Sequence, residues 1–199
     1  MAMNQLGNGL GMAGHNEDAL SVKEAELLML RRVGDSERNI LIVQGNLAIT
    51  YRAVGRHEEA LRMRRDVYSG TLKLKGEQDA DTLKEANNYA ASLTELRRSE
   101  EAKALLRKTL PVARRVLGNN SESTLRISVL YATALYEDPC ATLDDLREAV
   151  AMVEDTARIG RRVFGGAHPL TGVLEYALRE SRAALSARET PSSPPPGSA

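Results

Sequence analysis

Few residues of this chain have the type and spacing that chemistry requires. Residues 9 to 14 read GLGMAG, a G-x-G-x-x-G that in a dinucleotide site would follow a strand and open a helix. The preceding MAMNQLGN is too short and too polar to be that strand, so these glycines are read as incidental. His15, His57 and His168 lie near expected turns and share no helical face with a carboxylate pair, which offers neither a metal site nor a catalytic dyad. Cys140 is the only cysteine, and nothing in the sequence fixes a base beside it to activate the thiol. The pairs Glu58-Glu59 and Glu100-Glu101 fall at expected helix starts, where the helix dipole favours negative charge without any acid-base role. The sequence therefore predicts no enzyme, no catalytic residue, no metal site and no cofactor.

Composition narrows the remaining classes. The 199 residues carry 27 Lys plus Arg against 27 Asp plus Glu, so no global field draws in nucleic acid or an anionic membrane. No apolar stretch approaches the roughly 18 residues that span a bilayer, and the first residues lack a signal-peptide pattern. With one cysteine there is no internal disulfide. A cytoplasmic setting is expected. The last stretch, 189–199, is rich in Pro and Ser and reads as a disordered tail, while 1–188 reads as one array.

The elements that must position any site repeat. Ala48, Ala90 and Ala132 recur at an interval of 42, as do Gly34, Gly76 and Gly118, and Leu47, Tyr89 and Tyr131; Ala60 and Ala102 keep the same interval. Within a unit, Ile40, Val43, Leu47, Tyr51 and Val54 step by three or four, and so do Ala60, Met63, Val67, Thr71 and Leu74. That spacing predicts two amphipathic helices joined at Gly55-Arg56. The small alanines are expected where the two helices of a hairpin cross. Thr82 with Glu85 suggests a capping box, and the recurring glycines mark helix ends. Pro111 is expected to kink or interrupt the helix that contains it. Ala149 follows Ala102 by 47 residues, which puts an insertion in the turn EDPCAT. Hairpins are expected at 36–75, 79–117 and 121–164, after an incomplete one near 1–33 and before a lone capping helix at about 168–188. Gly7 aligns with Ala48 and Gly14 with Gly55.

This pattern resembles the tetratricopeptide repeat in the longer form of kinesin light chains. Asn46-Leu47-Ala48, Tyr51, Gly55-Arg56 and Glu59-Ala60 match its first half, Asn87-Asn88-Tyr89-Ala90 and Glu101-Ala102 match it again, and Leu117-Gly118, Phe164-Gly165 and His168-Pro169 with Thr171 match its endings and linker. The resemblance implies an all-α, right-handed superhelical solenoid of antiparallel hairpins. It also implies a non-enzymatic adaptor or scaffold that holds a protein or extended peptide in its concave groove. His57 would take a packing role usually filled by an aromatic ring. The residue two before the small alanine, Asn46 and then Asn88, would face the groove and clamp a peptide backbone, since one amide is both donor and acceptor. Ile49, Arg52 and Asn87 lie one turn away, with Lys84 and Arg126 near helix starts; the basic members of this set would hold an acidic group. The alternative reading is a fragment or sensor region of a larger regulatory protein whose nucleotide-binding or catalytic domain lies outside this chain.

Overall fold

The computed structural model describes residues 2–190; the expected tail falls almost wholly on 191–199, outside the described residues. Every regular element among them is an α-helix: α1 (Ala2–Met12), α2 (Asn16–Val33), α3 (Glu37–Ala53), α4 (His57–Lys75), α5 (Ala80–Glu95), α6 (Ser99–Leu117), α7 (Glu122–Tyr136), α8 (Leu143–Phe164) and α9 (Pro169–Glu189). The chain divides into two compact units, Met1–Arg98 with α1 to α5 and Ser99–Ala199 with α6 to α9.

In the first unit each helix packs on the next in sequence. Leu20 and Leu27 of α2 meet Val43, Leu47 and Tyr51 of α3 and Ala60 of α4, so the apolar stripes predicted from spacing form one core. Ala48 and Ala60 are almost fully buried. The Tyr51 hydroxyl donates to Glu24 Oε1 at 2.6 Å, giving its polar tip a partner at the edge of that core.

The glycines of α1 have a local reason. A Cβ on Gly7 would lie 2.9 Å from Lys23 Cγ, so its absence lets the Lys23 stem run against α1. The Lys23 ammonium then donates to Thr50 Oγ1 at 2.9 Å inside the unit. With Gly9 and Gly11 inside a helix that ends at Met12, the G-x-G-x-x-G has neither strand nor phosphate loop around it.

Turns repeat as closely as cores. Gly14, Gly55 and Arg97 follow α1, α3 and α5, all with positive φ of 83, 79 and 58°. Each helix ends with the same pair of backbone bonds: Gly14 N–H to Gly11 and His15 N–H to Leu10, Gly55 to Arg52 and Arg56 to Tyr51, Arg97 to Thr94 and Arg98 to Leu93. Arg97 thus takes the left-handed position that glycine holds in the other two turns.

Two expected signals are corrected. The N-cap of α5 is Asp79, whose side chain accepts from Asp81 N–H; Thr82 lies inside the helix, buried, with its hydroxyl unpartnered among the described residues. The reciprocal box is at α8, where Thr142 and Asp145 each accept from the other's backbone N–H. Helix α6 continues through Pro111. Arg107, whose carbonyl Pro111 deprives of a donor, shares the exposed face with it, so water can bond that carbonyl.

In the second unit α6, α7 and α8 pack in succession and α9 lies against both α7 and α8. The EDPCAT turn connects α7 to α8. Lys103 of α6 reaches it with a 2.5 Å bond to Asp138 Oδ2, the two side chains being 10% and 7% exposed, and Asp138 Oδ1 accepts from Cys140 N–H. Hydrogen bonding to Lys103 holds the Asp138 carboxyl below the usual aspartate range. Burial works against the Lys103 charge, but bonds to Asp138 and Glu100 outweigh it and raise that group. No helix among the described residues is long and apolar enough to cross a membrane.

Candidate functional site

A groove of about 540 Å³ lies in the first unit, between α3 and α5 and floored by α4. Helix periodicity builds it. Arg38, Leu41, Ile42, Gly45, Asn46 and Ile49 form a single stripe on α3, and Asp81, Lys84, Glu85 and Asn88 form one on α5, each stepping by three or four. Helix α4 supplies Arg64, Val67, Thr71, Leu74 and Lys75. Ile42, Ile49 and Leu74 expose about half their surface here, so the groove offers apolar contact as well as charge.

Four of the sequence-expected residues meet in this groove: Asn46, Ile49, Lys84 and Asn88. Arg52 lies in an adjoining recess of about 160 Å³ that also includes Asn88, and its guanidinium is already bound to Glu95 at 2.8 Å. Asn87 and Arg126 are not brought together with them. Asn87 stands outside the α5 stripe, with its Oδ1 buried and unpartnered among the described residues. Arg126 belongs to α7 in the second unit and pairs with Glu122 four residues earlier, at 2.6 Å.

The amides of the two groove asparagines are half used. Asn46 Nδ2 donates to Asn4 Oδ1 at 3.2 Å and Asn88 Nδ2 to Glu85 Oε2 at 3.1 Å. Among the described residues no donor reaches either Oδ1. Asn4 stands 42 residues before Asn46, on α1, so the same interval that singled out Asn46 and Asn88 contained it.

Charge in the groove is unequal. Arg38, Arg64, Lys75 and Lys84 face Asp81 and Glu85, an excess of two positive charges. Lys75 is bound to Asp81, and Arg38 and Lys84 have no carboxylate at ion-pair distance among the described residues. Burial lowers the Arg64 guanidinium from its ordinary value, against the opposing pull of Glu85. Sequence reasoning missed Arg64, because the family pattern assigns the groove to the first helix of each hairpin. Its signal was Lys23, four residues after Ala19 as Arg64 is four after Ala60.

The remaining chemistry-bearing residues form no site. His57 is exposed at the first position of α4 rather than packed, because the turn before it directs it to solvent. His168 caps α9, accepting from Leu170 N–H, and stacks on Phe164 at 4.8 Å. Cys140 is exposed. No group of His, Cys, Asp and Glu among the described residues could hold a metal ion.

Comparison with known proteins agrees with this architecture. The tetratricopeptide-repeat family model matches residues 41–74 and 83–123, so the chain carries such repeats there. Two crystal structures of a kinesin light chain candidate from Podosopora anserina, with nearly identical TPR-like repeats and one of them a variant, superpose with TM-scores of 0.79 and 0.77. Each is 20% identical over 94% of this chain and 87% of that one. BtubC (BKLC) from P. vanneervenii superposes at 0.70, with 17% identity over 99% of this chain and 83% of its own. No curated protein matches the sequence. The fold is that of these kinesin light chain-like repeat structures.

Proposed function

We propose that this tetratricopeptide-repeat chain is a non-enzymatic adaptor that holds an extended peptide, one bearing an acidic group, in the groove of α3, α4 and α5. The observation that carries this reading is the groove's mixture of surfaces. Half-exposed Ile42, Ile49 and Leu74 supply apolar contact, Asn46 and Asn88 keep free amide oxygens for a peptide N–H, and the positive excess suits an acidic side chain. A rigid helical wall lowers the entropy lost when a flexible segment is captured.

Gly45 gives the most direct test. It lies inside α3 on the groove wall, and a Cβ there meets nothing within 4 Å. Gly45→Leu fills the groove while improving helix propensity by roughly 1 kcal/mol. With a peptide recovered by affinity capture, calorimetric titration is expected to show no binding to Gly45→Leu and about 1 kcal/mol weaker binding to Asn46→Ala and to Asn88→Ala. Thermal melts of the two Asn variants should stay near that of the parent, and that of Gly45→Leu at or above it. Lys108, exposed on α6, is the control; Arg107 is unsuitable, because its Nε donates to the Tyr131 hydroxyl at 3.1 Å. A peptide that binds Gly45→Leu as it binds the parent does not occupy this groove, and the reading fails.

A further inference from the structure

Helix α2 leaves an apolar stripe in the open. Leu28 and Met29 expose 67% and 47% of their surface, exposed Ala25 lies between them one turn earlier, and half-buried Val22 precedes it. The corresponding helices are polar or broken at the centre of this stripe. Counted from the buried Ala19, Ala60, Ala102 and Ala149, the places of Ala25 and Leu28 hold Asp66 and Ser69 in α4, Lys108 and Pro111 in α6, and Asp155 and Arg158 in α8. The two ends of the stripe are charged. Asp18 stands seven residues before Ala25 and Arg32 seven after it, both exposed on the same face, and among the described residues neither has an ion-pair partner. About 21 Å of helix separates them, too far for them to meet within one chain.

We infer that α2 is a self-association surface, pairing antiparallel with α2 of a second copy about a twofold axis at Ala25. Antiparallel pairing sets Asp18 against Arg32 of the second copy, and the twofold forms that pair twice. Leu28 then packs on Val22 of the second copy and Met29 beside Ser21. The small Ala25 at the crossing lets the helix axes approach to the roughly 8 to 10 Å of packed helices, and the seven-residue spacing suits a shallow crossing. A parallel pair would oppose Asp18 to Asp18 and Arg32 to Arg32, so charge sets the direction. It also sets the helix, because the same axis on α4, α6 or α8 would oppose Asp66, Lys108 or Asp155 to itself. This match of a face with its own inverse identifies a second copy as the occupant. None of these residues lines the groove of α3, α4 and α5, so the inference stands apart from the peptide reading. One helix pair buries less than the standard interface of about 1,600 Å², so the dimer is a reversible one.

Sedimentation equilibrium of the full chain, from low micromolar to near millimolar, is expected to show a mass that rises reversibly towards twice that of one chain. Leu28→Lys and Ala25→Asp should each weaken association by roughly ten-fold or more. Ser69→Lys, at the corresponding exposed place on α4, should leave it unchanged. Asp18→Lys and Arg32→Glu, each alone, should stay monomeric where the parent dimerises, and an equimolar mixture of the two should recover the dimer, since both end pairs are again opposite in sign. Reversing a charge at either end of α2 also opposes the helix dipole, but mixing does not restore a fold, so recovery reads the interface alone. A chain that stays monomeric throughout assigns the stripe to a different protein and overturns the inference. So does association that Leu28→Lys and Ala25→Asp leave unchanged, or a mixture that stays monomeric.

Discussion

Above α4 the space between α3 and α5 is open, whereas above α8 the helices α7 and α9 pack directly on each other. Once the insertion in the α7–α8 turn is allowed for, the two regions can be compared position by position. Two residues before the small alanine, α3 has Asn46 and α7 has Leu130; α5 has Asn88, and Ala177 stands at that place in α9. Four residues after Ala60 comes Arg64, and four after Ala149 comes Val153, fully buried. Glu85 corresponds to Leu174, which is also fully buried. Thr71 corresponds to Gly160, where a Cβ would lie 2.6 Å from Leu174 Cδ1, so the missing side chain lets Leu174 settle onto α8. Polar, charged residues hold one stack apart, and their apolar counterparts close the other. The open and closed stacks therefore differ at these five positions, alongside the lengths of the helices that carry them.

That comparison can be broken from the closed side. Val153→Arg forces a charge into a dry stack with no carboxylate opposite, and is expected to cost on the order of 4 kcal/mol or more, or to prevent folding. Urea denaturation measures it. An Arg accepted there with little loss would mean that Arg64 does not explain the open groove.

Next in size is Asp138→Asn, which breaks the buried bond between Lys103 and the α7–α8 turn and should cost about 3 kcal/mol at neutral pH. The pH dependence has a definite sign. The folded carboxyl of Asp138 is depressed, so its contribution is present above the unfolded aspartate value of about 4 and is lost as pH falls through the folded one. Lys103 is raised, so its contribution is present below its unfolded value of about 10.4 and is lost as pH rises beyond that. The stability gap between parent and variant should narrow below about pH 4. A gap that stays constant into acid would show that the pair does not lock this turn.

The converse experiment gives the open region the residues of the closed one. Arg64→Val with Glu85→Leu is expected to stabilise the chain by about 1 to 2 kcal/mol, since replacing a poorly bonded, largely buried ion pair by apolar groups relieves desolvation. It should also abolish peptide capture. A double variant that is less stable than the parent would make Arg64 a structural residue.

The smallest expected effect is at the end of α5. Arg97→Gly removes the strain of a side chain at φ 58°, offset by the greater freedom of glycine in the unfolded chain, for a net gain of about 0.5 to 1 kcal/mol in thermal melts. An unchanged melt would mean that the Arg97 side chain makes compensating contacts.

These contrasts also explain what the sequence made legible. The helices and their turns were readable because Ala48, Ala60 and the glycines answer to sterics, which act at fixed sequence spacing. Asn46 and Asn88 were readable for the same reason, being placed relative to those alanines. Local competition between caps was not: Asp79 displaces Thr82 because it precedes it by three residues with an extended backbone suited to the N-cap. Pro111 does not interrupt α6, because tolerance depends on which face it occupies. Arg64 and the pairing of Arg52 with Glu95 depend on contacts between residues far apart in sequence, and the interval alone contains no record of them.

Gly76 and Gly165 end α4 and α8 with φ near 83° and ψ near 170°, a conformation that only glycine adopts without strain. Like the buried Ala60, Ala102 and Ala149, they stand outside the lining of the groove and its recess. Ile42, Asn46, Ile49, Lys84 and Asn88, by contrast, line the groove from exposed or half-buried positions. Exchanging these side chains one at a time can consequently change the chemistry that the groove presents while every buried position of the scaffold stays as it is.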